Sequence, residues 1–392
     1  MQTDPRPVRE SPGSTAALRQ ANQQRVIDVL LTTAGSALTQ ADLSRVTGLA
    51  AGTVSNIVRE LASGSVLDTV AGAGRRGTLV RLGRGAGLVA GLDFGHKHLN
   101  VALADMNGVV LASRRESLDI GHSHHEGLRL ASQLLAGVAE DAHVAVDEVR
   151  TVGLGLPAPF DEDVVMSSAI LPGWVGVNAR DAAAQALGRT VVIENDANLG
   201  ALAEHRRGIG RGLDNLIFVK VSSGVGAGII VNGQLFRGSN GTAGEIGHLT
   251  LNEQGPICRC GSRGCLEAYA GSGPAKAMMA AQMPEASLAD IVAAAKEGNV
   301  SAIRVFEDAG LHLGWGLGAL TNLLNPDLIV VGGDMASAGD LLLEPARQGL
   351  RRHCLSGAAN TPVVPASLGD RASLVGALVL AIEATDLLVD YA

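Results

Sequence analysis

The sequence predicts a chain of two parts, a small three-helix module with a β-hairpin and then a larger α/β domain of two similar lobes. The small module, residues 18–84, is indicated by three apolar stripes at helical spacing ahead of two alternating segments. The two lobes are indicated by a strand-turn-strand pattern that begins near residue 87 and again near residue 215. Residues 1–17 are mostly polar and contain prolines, so we expect a disordered tail there.

Charge is distributed unevenly along the chain. Residues 1–84 contain ten Arg against six Asp and Glu, a balance of +4, whereas the whole chain carries −8. A basic front on an acidic body is typical of a nucleic-acid-binding module, although so modest a balance also fits ordinary variation. The first residues lack the apolar stretch of a secretory signal, and no run of about 18 apolar residues is present to span a membrane. We therefore expect a cytoplasmic protein with no membrane partner.

The boundaries of the helices in the small module follow from local signals. In the segment TQADLSRVTG, Thr39 stands at the position of an N-cap and Gly48 at the position of a helix stop. A third helix is expected to begin just after that glycine and to end at Gly64. Its predicted buried stripe comprises Val54, Ile57, Val58 and Leu61.

Three short helices with a glycine turn between the second and third predict a helix-turn-helix, and the segments VLDTV and TLVRL predict a wing. In such a winged helix-turn-helix the third helix lies in the major groove of double-stranded DNA. Basic residues in the wing tip, AGAGRRG, suit phosphates or a minor groove. A module that only contacts proteins is the alternative. The candidate DNA-binding residues are Thr53, Ser55, Asn56, Arg59, Arg75 and Arg76.

The larger domain, residues 86–392, repeats one pattern. GLVAGLDFGHKHLNVALADMNGVVL and NLIFVKVSSGVGAGIIVNGQLF both read as strand, turn, strand, turn and strand. Two such units with glycine in the turns predict a duplicated fold that clamps phosphates between its halves. The actin/hexokinase-like fold, a duplicated ribonuclease H-like domain, is built in this way. Glycine-rich hairpins are common, so the repeat by itself is weak support.

Three of the four cysteines fall within eight positions, in the segment CRCGSRGC. Together with a histidine ten residues upstream they offer one imidazole and three thiolates, which is a tetrahedral structural zinc set. The spacing C-x-C-x4-C differs from the paired C-x2-C of many zinc sites, so reduced buried thiols remain the alternative. The candidate metal ligands, between residues 248 and 265, are His248, Cys258, Cys260 and Cys265.

Three motifs occur in order: ENDANLGALAEHRRG at 194–208, GVGAGIIVNGQLFRGSNGTAGEIGH at 224–248 and CRCGSRGCLE at 258–267. With them, residues 88–385 resemble the ROK family of repressors, open reading frames and kinases. The small module resembles the N-terminal winged helix of bacterial sugar-responsive repressors, whose TVS helix and GRR wing it shares. The resemblance implies the same zinc set and a sugar site at Asn195, Asp196, Glu245, His248 and Glu267.

The resemblance also implies residues for a kinase reaction. In the family's kinases the residue that matches Asp196 removes a proton from the sugar hydroxyl that attacks ATP, so Asp196 is the candidate catalytic base. The first phosphate loop departs from the family pattern D-x-G-G-T-K, because this chain has DFGHKH with His96 in place of glycine. We therefore expect Mg-ATP binding to be impaired or lost and sugar binding to be kept, with Mg-ATP a cofactor only if kinase activity survives. Candidate phosphate residues are Asp93, Gly95, Ser223, Gly224, Gly226, Gly332 and Gly333.

Three functions follow as hypotheses. The first is a sugar-responsive transcriptional regulator, with a DNA operator and a sugar as partners and structural zinc as cofactor, acting as a homodimer or homotetramer and located at the nucleoid when bound to DNA. The second is an ATP-dependent, glucokinase-like sugar kinase, which could also regulate. The third is a scaffold that uses both parts for protein contacts. Motifs do not identify the sugar.

Overall fold

The computed structural model describes residues 15–32, 37–71, 77–168 and 170–388. The amino-terminal module consists of three helices beside a small antiparallel sheet with strand order β1-β3-β2. Its first helix begins three residues ahead of the expected boundary at residue 18. The elements are α1 (Thr15–Thr32), β1 (Leu38–Thr39), α2 (Gln40–Thr47), α3 (Ala51–Ser63), β2 (Leu67–Ala71) and β3 (Thr78–Leu82).

Local signals determine the turn between α2 and α3. The Thr39 side chain accepts a hydrogen bond from the Asp42 amide, and the Asp42 carboxylate accepts one from the Thr39 backbone amide, which forms a capping box. Gly48 ends α2 in the left-handed region at φ 72°, where glycine has no steric penalty. The predicted N-cap and helix stop are therefore confirmed, and all four residues of the predicted α3 stripe are buried.

The larger part contains two five-stranded sheets of the same topology. Each has an antiparallel three-stranded meander followed by two parallel strands, in the orders β6-β5-β4-β7-β10 and β13-β12-β11-β14-β15. The predicted duplication is thus confirmed in the strand order. The first sheet comprises β4 (Leu88–Phe94), β5 (His98–Asp105), β6 (Val110–Ser117), β7 (Val149–Leu156) and β10 (Thr190–Asn195), and the second β11 (Leu216–Val221), β12 (Val225–Val231), β13 (Gln234–Leu235), β14 (Leu328–Gly332) and β15 (Val363–Pro365). A separate hairpin comprises β8 (Phe160–Asp161) and β9 (Val164–Val165).

Helices cover both sheets. Nine helices lie in the described part after residue 86, and none in the described ranges is long and apolar enough to cross a membrane. They are α4 (His124–Asp141), α5 (Ala179–Leu187), α6 (Asp196–Arg206), α7 (Glu267–Ala270), α8 (Ser272–Met279), α9 (Leu288–Lys296), α10 (Val300–Leu324), α11 (Asp340–His353) and α12 (Ala372–Ala384).

Helices α6 and α12 pack against each other between the two sheets. The contact is close because a Cβ at Gly376 would fall on the carbonyl oxygen of Leu199, and a Cβ at Gly153 would fall on that of Ala377. Only glycine permits these approaches of one backbone to another. The two helices therefore form one rigid layer, with the first residue of α6 at the sheet edge and the end of α12 toward the amino-terminal module.

The amino-terminal module shares its hydrophobic core with the larger part. Leu67 and Leu82 of the small sheet belong to the same buried cluster as Ile382 of α12 and Leu387 and Leu388 beyond it. In addition, the Asn107 side-chain amide, after β5, donates a hydrogen bond of 3.0 Å to the Leu82 carbonyl. The carboxyl-terminal segment is thus packed directly beneath the small sheet.

Candidate functional site

A cavity of about 920 Å³ opens where the two sheets face each other. The carboxyl ends of parallel strands meet at such an edge, which is where ligands bind in α/β sheets. All of the predicted sugar residues line this cavity, and so do the predicted phosphate residues except Gly332, which ends β14 opposite Lys220. The lining residues among those predicted are Asp93, Gly95, Asn195, Asp196, Ser223, Gly224, Gly226, Glu245, His248, Glu267 and Gly333.

The four predicted metal ligands come together beside this cavity. Their donor atoms all lie within 4.8 Å of one another, with 3.7 Å between His248 Nδ1 and Cys258 Sγ and 3.8 Å between the sulfurs of Cys260 and Cys265. Tetrahedral zinc with Zn–S bonds of about 2.3 Å keeps its sulfurs about 3.8 Å apart. The chain turns tightly here because Gly264 has φ 63° and lies against the Asn252 carbonyl. The donor set and its dimensions fit one zinc ion.

The metal-ligand loop also positions groups that face the cavity. His248 directs Nδ1 toward Cys258, and its Nε2 lies 3.9 Å from a carboxylate oxygen of Glu245. Burial, together with the charges of Asp196 and Glu267, raises the pKa of the Glu245 carboxyl above its ordinary value. These polar groups converge on one corner of the cleft, and Glu245 and His248 keep polar atoms directed into it.

Glu267 is buried rather than solvated. One carboxylate oxygen forms an ion pair with Arg259 Nε at 2.8 Å, and the other accepts a hydrogen bond from the Val225 amide at 3.0 Å. The residue is 6% exposed, so it is not a solvated surface carboxylate. Glu267 consequently links the metal-ligand loop to the start of β12.

Asn195 and Asp196 lie at the junction of β10 and α6. The Asn195 side-chain oxygen caps the helix by accepting from the Ala197 and Asn198 amides, and its amide donates to the Ala158 carbonyl at 3.2 Å. Much of the Asn195 side chain is thus used to hold local structure. The neighbouring Asp196 carboxylate extends into the cavity from the first turn of the helix, where negative charge is favourable.

Asp196 is paired with a lysine that the motifs did not single out. Lys220 Nζ donates to Asp196 Oδ2 at 2.8 Å and to the Ser373 hydroxyl of α12 at 3.2 Å. Burial opposes the positive charge, but the charges of Asp196, Asp93 and Asp334 outweigh it, and the pKa of Lys220 lies above its ordinary value. The ammonium is therefore a fixed positive charge within a group of carboxylates.

The first phosphate loop is occupied by its own side chains. A Cβ at Gly95 would meet the His98 imidazole ring, which lies beneath the loop. Burial lowers the pKa of His96, and the nearby charges of Lys97, Arg259 and Lys276 lower it further. The loop thus carries the His96 side chain where the family pattern has glycine, and Gly95 lies against the His98 ring.

Comparison with known proteins decides the family. The ROK family model matches residues 89–384. The chain belongs to the ROK family. A xylose repressor from Caldicellulosiruptor bescii is 28% identical, with 94% of this chain and 97% of the relative covered. A glucokinase from Streptomyces coelicolor is 32% identical, with 76% of this chain and 98% of the relative covered.

The structural comparison agrees with the sequence comparison. A solved ROK family transcriptional regulator, a homolog of the E. coli MLC protein, has a TM-score of 0.77 at 25% identity and covers 93% of this chain and 96% of its own. The predicted two-lobed actin/hexokinase-like fold of the ROK domain is therefore confirmed. The repressor and the regulator span the amino-terminal module as well, whereas the glucokinase spans about three quarters of the chain.

The predicted DNA-contacting residues outside the ROK domain lie along α3. Asn56 and Arg59 are exposed, and Thr53 and Ser55 are half-buried. Arg59 donates a hydrogen bond of 3.2 Å to Asn56, so both side chains occupy one face of the helix. The other two predicted residues, Arg75 and Arg76, lie outside the described residues.

Sequence reasoning missed Lys220 and Arg259, the cations that pair with the predicted sugar-site carboxylates Asp196 and Glu267. The signal for Lys220 was a single charged residue in the otherwise apolar strand LIFVKV. The signal for Arg259 was an arginine between two metal-ligand cysteines. Neither pattern by itself indicates which carboxylate the cation contacts.

Proposed function

We propose that this ROK protein is a sugar-responsive DNA-binding transcriptional repressor of genes for carbohydrate use. The proposal is carried by the match of xylose repressors over nearly the whole chain, amino-terminal module included. Glucokinases match only the ROK domain at similar identity. The amino-terminal module is therefore what distinguishes this chain from the enzymes, and DNA binding is the function that such a module serves.

We infer that the module is a winged helix-turn-helix with α3 as its recognition helix. The order α1-α2-α3 with a glycine turn before α3, followed by an antiparallel hairpin, supports this assignment. Asn56 and Arg59, exposed on one face of α3, are suited to base edges or phosphates in the major groove. Such repressors bind paired half-sites, so we also propose a homodimer.

We propose that the cleft binds a neutral sugar, with xylose as the first candidate because the relatives are xylose repressors. A sugar hydroxyl both donates and accepts hydrogen bonds, so it matches a corner of carboxylates and one imidazole. Asp196 Oδ1, the Glu245 carboxyl and His248 Nε2 line this corner. The zinc that the three cysteines would hold supplies structure, because four protein ligands leave it no open position.

Helix α12 offers a direct route from the sugar to the DNA-binding module. Ser373 in its first turn accepts from Lys220 and donates to the Asp196 carbonyl. Ile382 near its end packs in the core shared with Leu67 and Leu82 of the small sheet. At 1.5 Å per residue these two positions are about 14 Å apart along the helix. A shift of α12 on sugar binding would therefore change the orientation of the module.

The test is operator release by sugar. A duplex selected from random DNA with the purified, zinc-replete protein is followed by fluorescence anisotropy while a panel of aldoses is added. We expect xylose or a close relative to raise the Kd for the duplex. If no sugar in the panel changes DNA affinity, the proposed regulation is wrong. Arg59→Ala should weaken duplex binding, and unchanged binding would instead support the scaffold hypothesis.

A sugar kinase is the second candidate, favoured by Asp196 in the cleft and by glucokinases of up to 32% identity. The pairing of Asp196 with Lys220 and the side chains in the first phosphate loop oppose it. Sugar-dependent ADP release from Mg-ATP that disappears in Asp196→Asn would establish the kinase.

A further inference from the structure

The ammonium of Lys220 stands at the centre of an acidic group in the cleft. Its side chain is only 22% exposed and is held by Asp196 Oδ2 at 2.8 Å and by the Ser373 hydroxyl at 3.2 Å. Strand β11 fixes the backbone of Lys220 between Gly226 and Gly332 on the neighbouring strands. The position of the cation is therefore set by three separate elements, β11, α6 and α12.

Two more carboxylates line the same cavity as Lys220. Asp93, at the end of β4, is 2% exposed and uses Oδ2 to accept from Asn100 at 2.9 Å. Its other oxygen, Oδ1, is buried without a hydrogen-bond partner among the described residues. Asp334, which follows β14, has its backbone amide bonded to the Ser222 hydroxyl at 3.0 Å. Asp93, Asp196 and Asp334 thus line one cavity together with Lys220, and the negative charges of all three favour its ammonium form.

A cluster of carboxylates at the phosphate end of a two-lobed cleft is what a divalent cation would need. Mg²⁺ requires oxygen ligands at about 2.0–2.1 Å in a nearly octahedral arrangement. Here one oxygen of Asp196 is already bonded to an ammonium, and a second cation on that carboxylate would be repelled by it. The residues present therefore do not fit the magnesium ion of a Mg-ATP complex.

We propose that Lys220 is the resident cation of this cleft and takes the charge-neutralising place of a divalent metal, so that ligand binds without Mg²⁺ and no phosphoryl group is transferred. Lys220 leaves Asp196 Oδ1 free to accept a ligand hydroxyl while Oδ2 stays engaged. The acidic residues remain because they balance the lysine and orient Asp196. Lys220 is thus a positioning residue of the ligand site.

The experiment measures Mn²⁺ uptake by the full-length, zinc-replete protein, from the loss of the free-ion signal in electron paramagnetic resonance. Mn²⁺ serves as the probe for a hard divalent-cation site. We expect no uptake by the wild type and uptake by Lys220→Met, which removes the charge and keeps the length of the side chain. Uptake should disappear again in Lys220→Met combined with Asp93→Asn.

The matched control is Lys276→Met, because Lys276 lines the same cavity outside this ion pair. It should behave as the wild type, which separates the position of the lysine from the loss of one charge in the cavity. Lys220→Arg, which keeps the charge, should also take up no Mn²⁺. A folded Lys220→Met protein that takes up none would overturn the proposal.

The wild type alone also tests the inference, should Lys220→Met fail to fold. Uptake of Mn²⁺ by the wild type that is lost in Asp93→Asn would show that a metal coexists with Lys220, and the proposal would be wrong. A second readout is the sugar Kd in metal-free buffer and in millimolar Mg²⁺, which should agree, whereas about a tenfold gain with Mg²⁺ would contradict it.

The role of Lys220 in ligand binding rests on the proposed sugar site, whereas its role in excluding a divalent metal does not. If no sugar alters DNA binding while Lys220→Met gains Mn²⁺, the proposed function fails and the role of Lys220 stands. If sugar releases the duplex and the wild type takes up Mn²⁺ through Asp93, the proposed function stands and the role of Lys220 fails.

Discussion

Replacing Asp196 with Asn should separate the proposed sugar response from the proposed DNA binding. The substitution keeps the shape of the side chain and one carbonyl oxygen, but it removes the charge that pairs with Lys220 at 2.8 Å. Asp196 lies far from α3, in the cleft between the two sheets. We expect a protein that binds its duplex normally and no longer releases it when sugar is added.

The magnitude follows from two contacts. A hydrogen bond to a charged group contributes about 1.5–3 kcal/mol, so the loss of the carboxylate weakens sugar binding by about 10- to 150-fold. Removing one partner of a buried ion pair lowers the free energy of unfolding by about 3–5 kcal/mol. The Asp196 and Lys220 side chains are 14% and 22% exposed, and Asn still accepts one hydrogen bond. We therefore expect the free energy of unfolding to fall by about 2 kcal/mol in Asp196→Asn.

The assays are isothermal titration calorimetry for the sugar and fluorescence anisotropy for the selected duplex. The matched control is Asp370→Asn, because Asp370 lines the same cavity but its side chain is 79% exposed and makes only a long ion pair with Arg115. That variant should bind sugar and release DNA as the wild type does. A double-mutant cycle with Lys220→Met should show coupling between positions 196 and 220.

The reasoning would be refuted by one clear result. If Asp196→Asn is folded, binds sugar within about twofold of the wild type and releases the duplex at the same sugar concentration, then Asp196 does not contact the effector. The cleft corner would then have to bind its ligand through the metal-ligand loop alone. Loss of duplex binding without sugar would instead indicate a damaged fold.

Three further predictions follow from other parts of the structure. Cys265→Ser should lower the zinc content measured by mass spectrometry and weaken sugar binding, whereas Cys354→Ser, outside the cluster, should keep the zinc of the wild type. Arg59→Ala should weaken duplex binding and reduce its salt slope by about 1 if the contact is to phosphate, while Arg45→Ala on α2 should have the smaller effect. Burial lowers the pKa of His205 in the folded state, so the unfolded chain takes up a proton on this histidine first as the pH drops. The free energy of unfolding should therefore fall as pH drops through about 6.5. Urea titrations should show a smaller fall in His205→Gln.

The elements of the amino-terminal module could be predicted because their signals are local. The capping box of Thr39 and Asp42 and the left-handed Gly48 lie within ten residues of one another, and helical spacing alone identifies the buried stripe of α3. The two-residue strand β1 was not predicted. It exists only through pairing with β3, some forty residues away along the chain, and short sequence windows carry no such information.

The cleft residues that belong to sequence motifs could be predicted. The cleft residues that only the fold brings together could not. The motifs named the predicted sugar residues, which line one cavity, and the metal ligands, which come together beside it. Lys220 was missed because its partners Asp196 and Ser373 are 24 and 153 positions away. A strand pattern shows that Lys220 interrupts an apolar run, but only the fold shows that it pairs with Asp196 and shares a cavity with Asp93 and Asp334.

The packing of α12 determines how a signal could leave the cleft. Gly376 lies directly on the Leu199 carbonyl of α6, so we expect α12 to move together with the helix that begins at Asp196. A ligand that draws Asp196 toward the metal-ligand loop must therefore shift α6 and α12 together. Because Ile382 shares a core with Leu82, that shift reaches the small sheet through close-packed side chains, which transmit displacement with little loss. Gly376→Ala should accordingly disturb sugar release of DNA more than it disturbs DNA binding itself, and equal losses of both would contradict a route through α12.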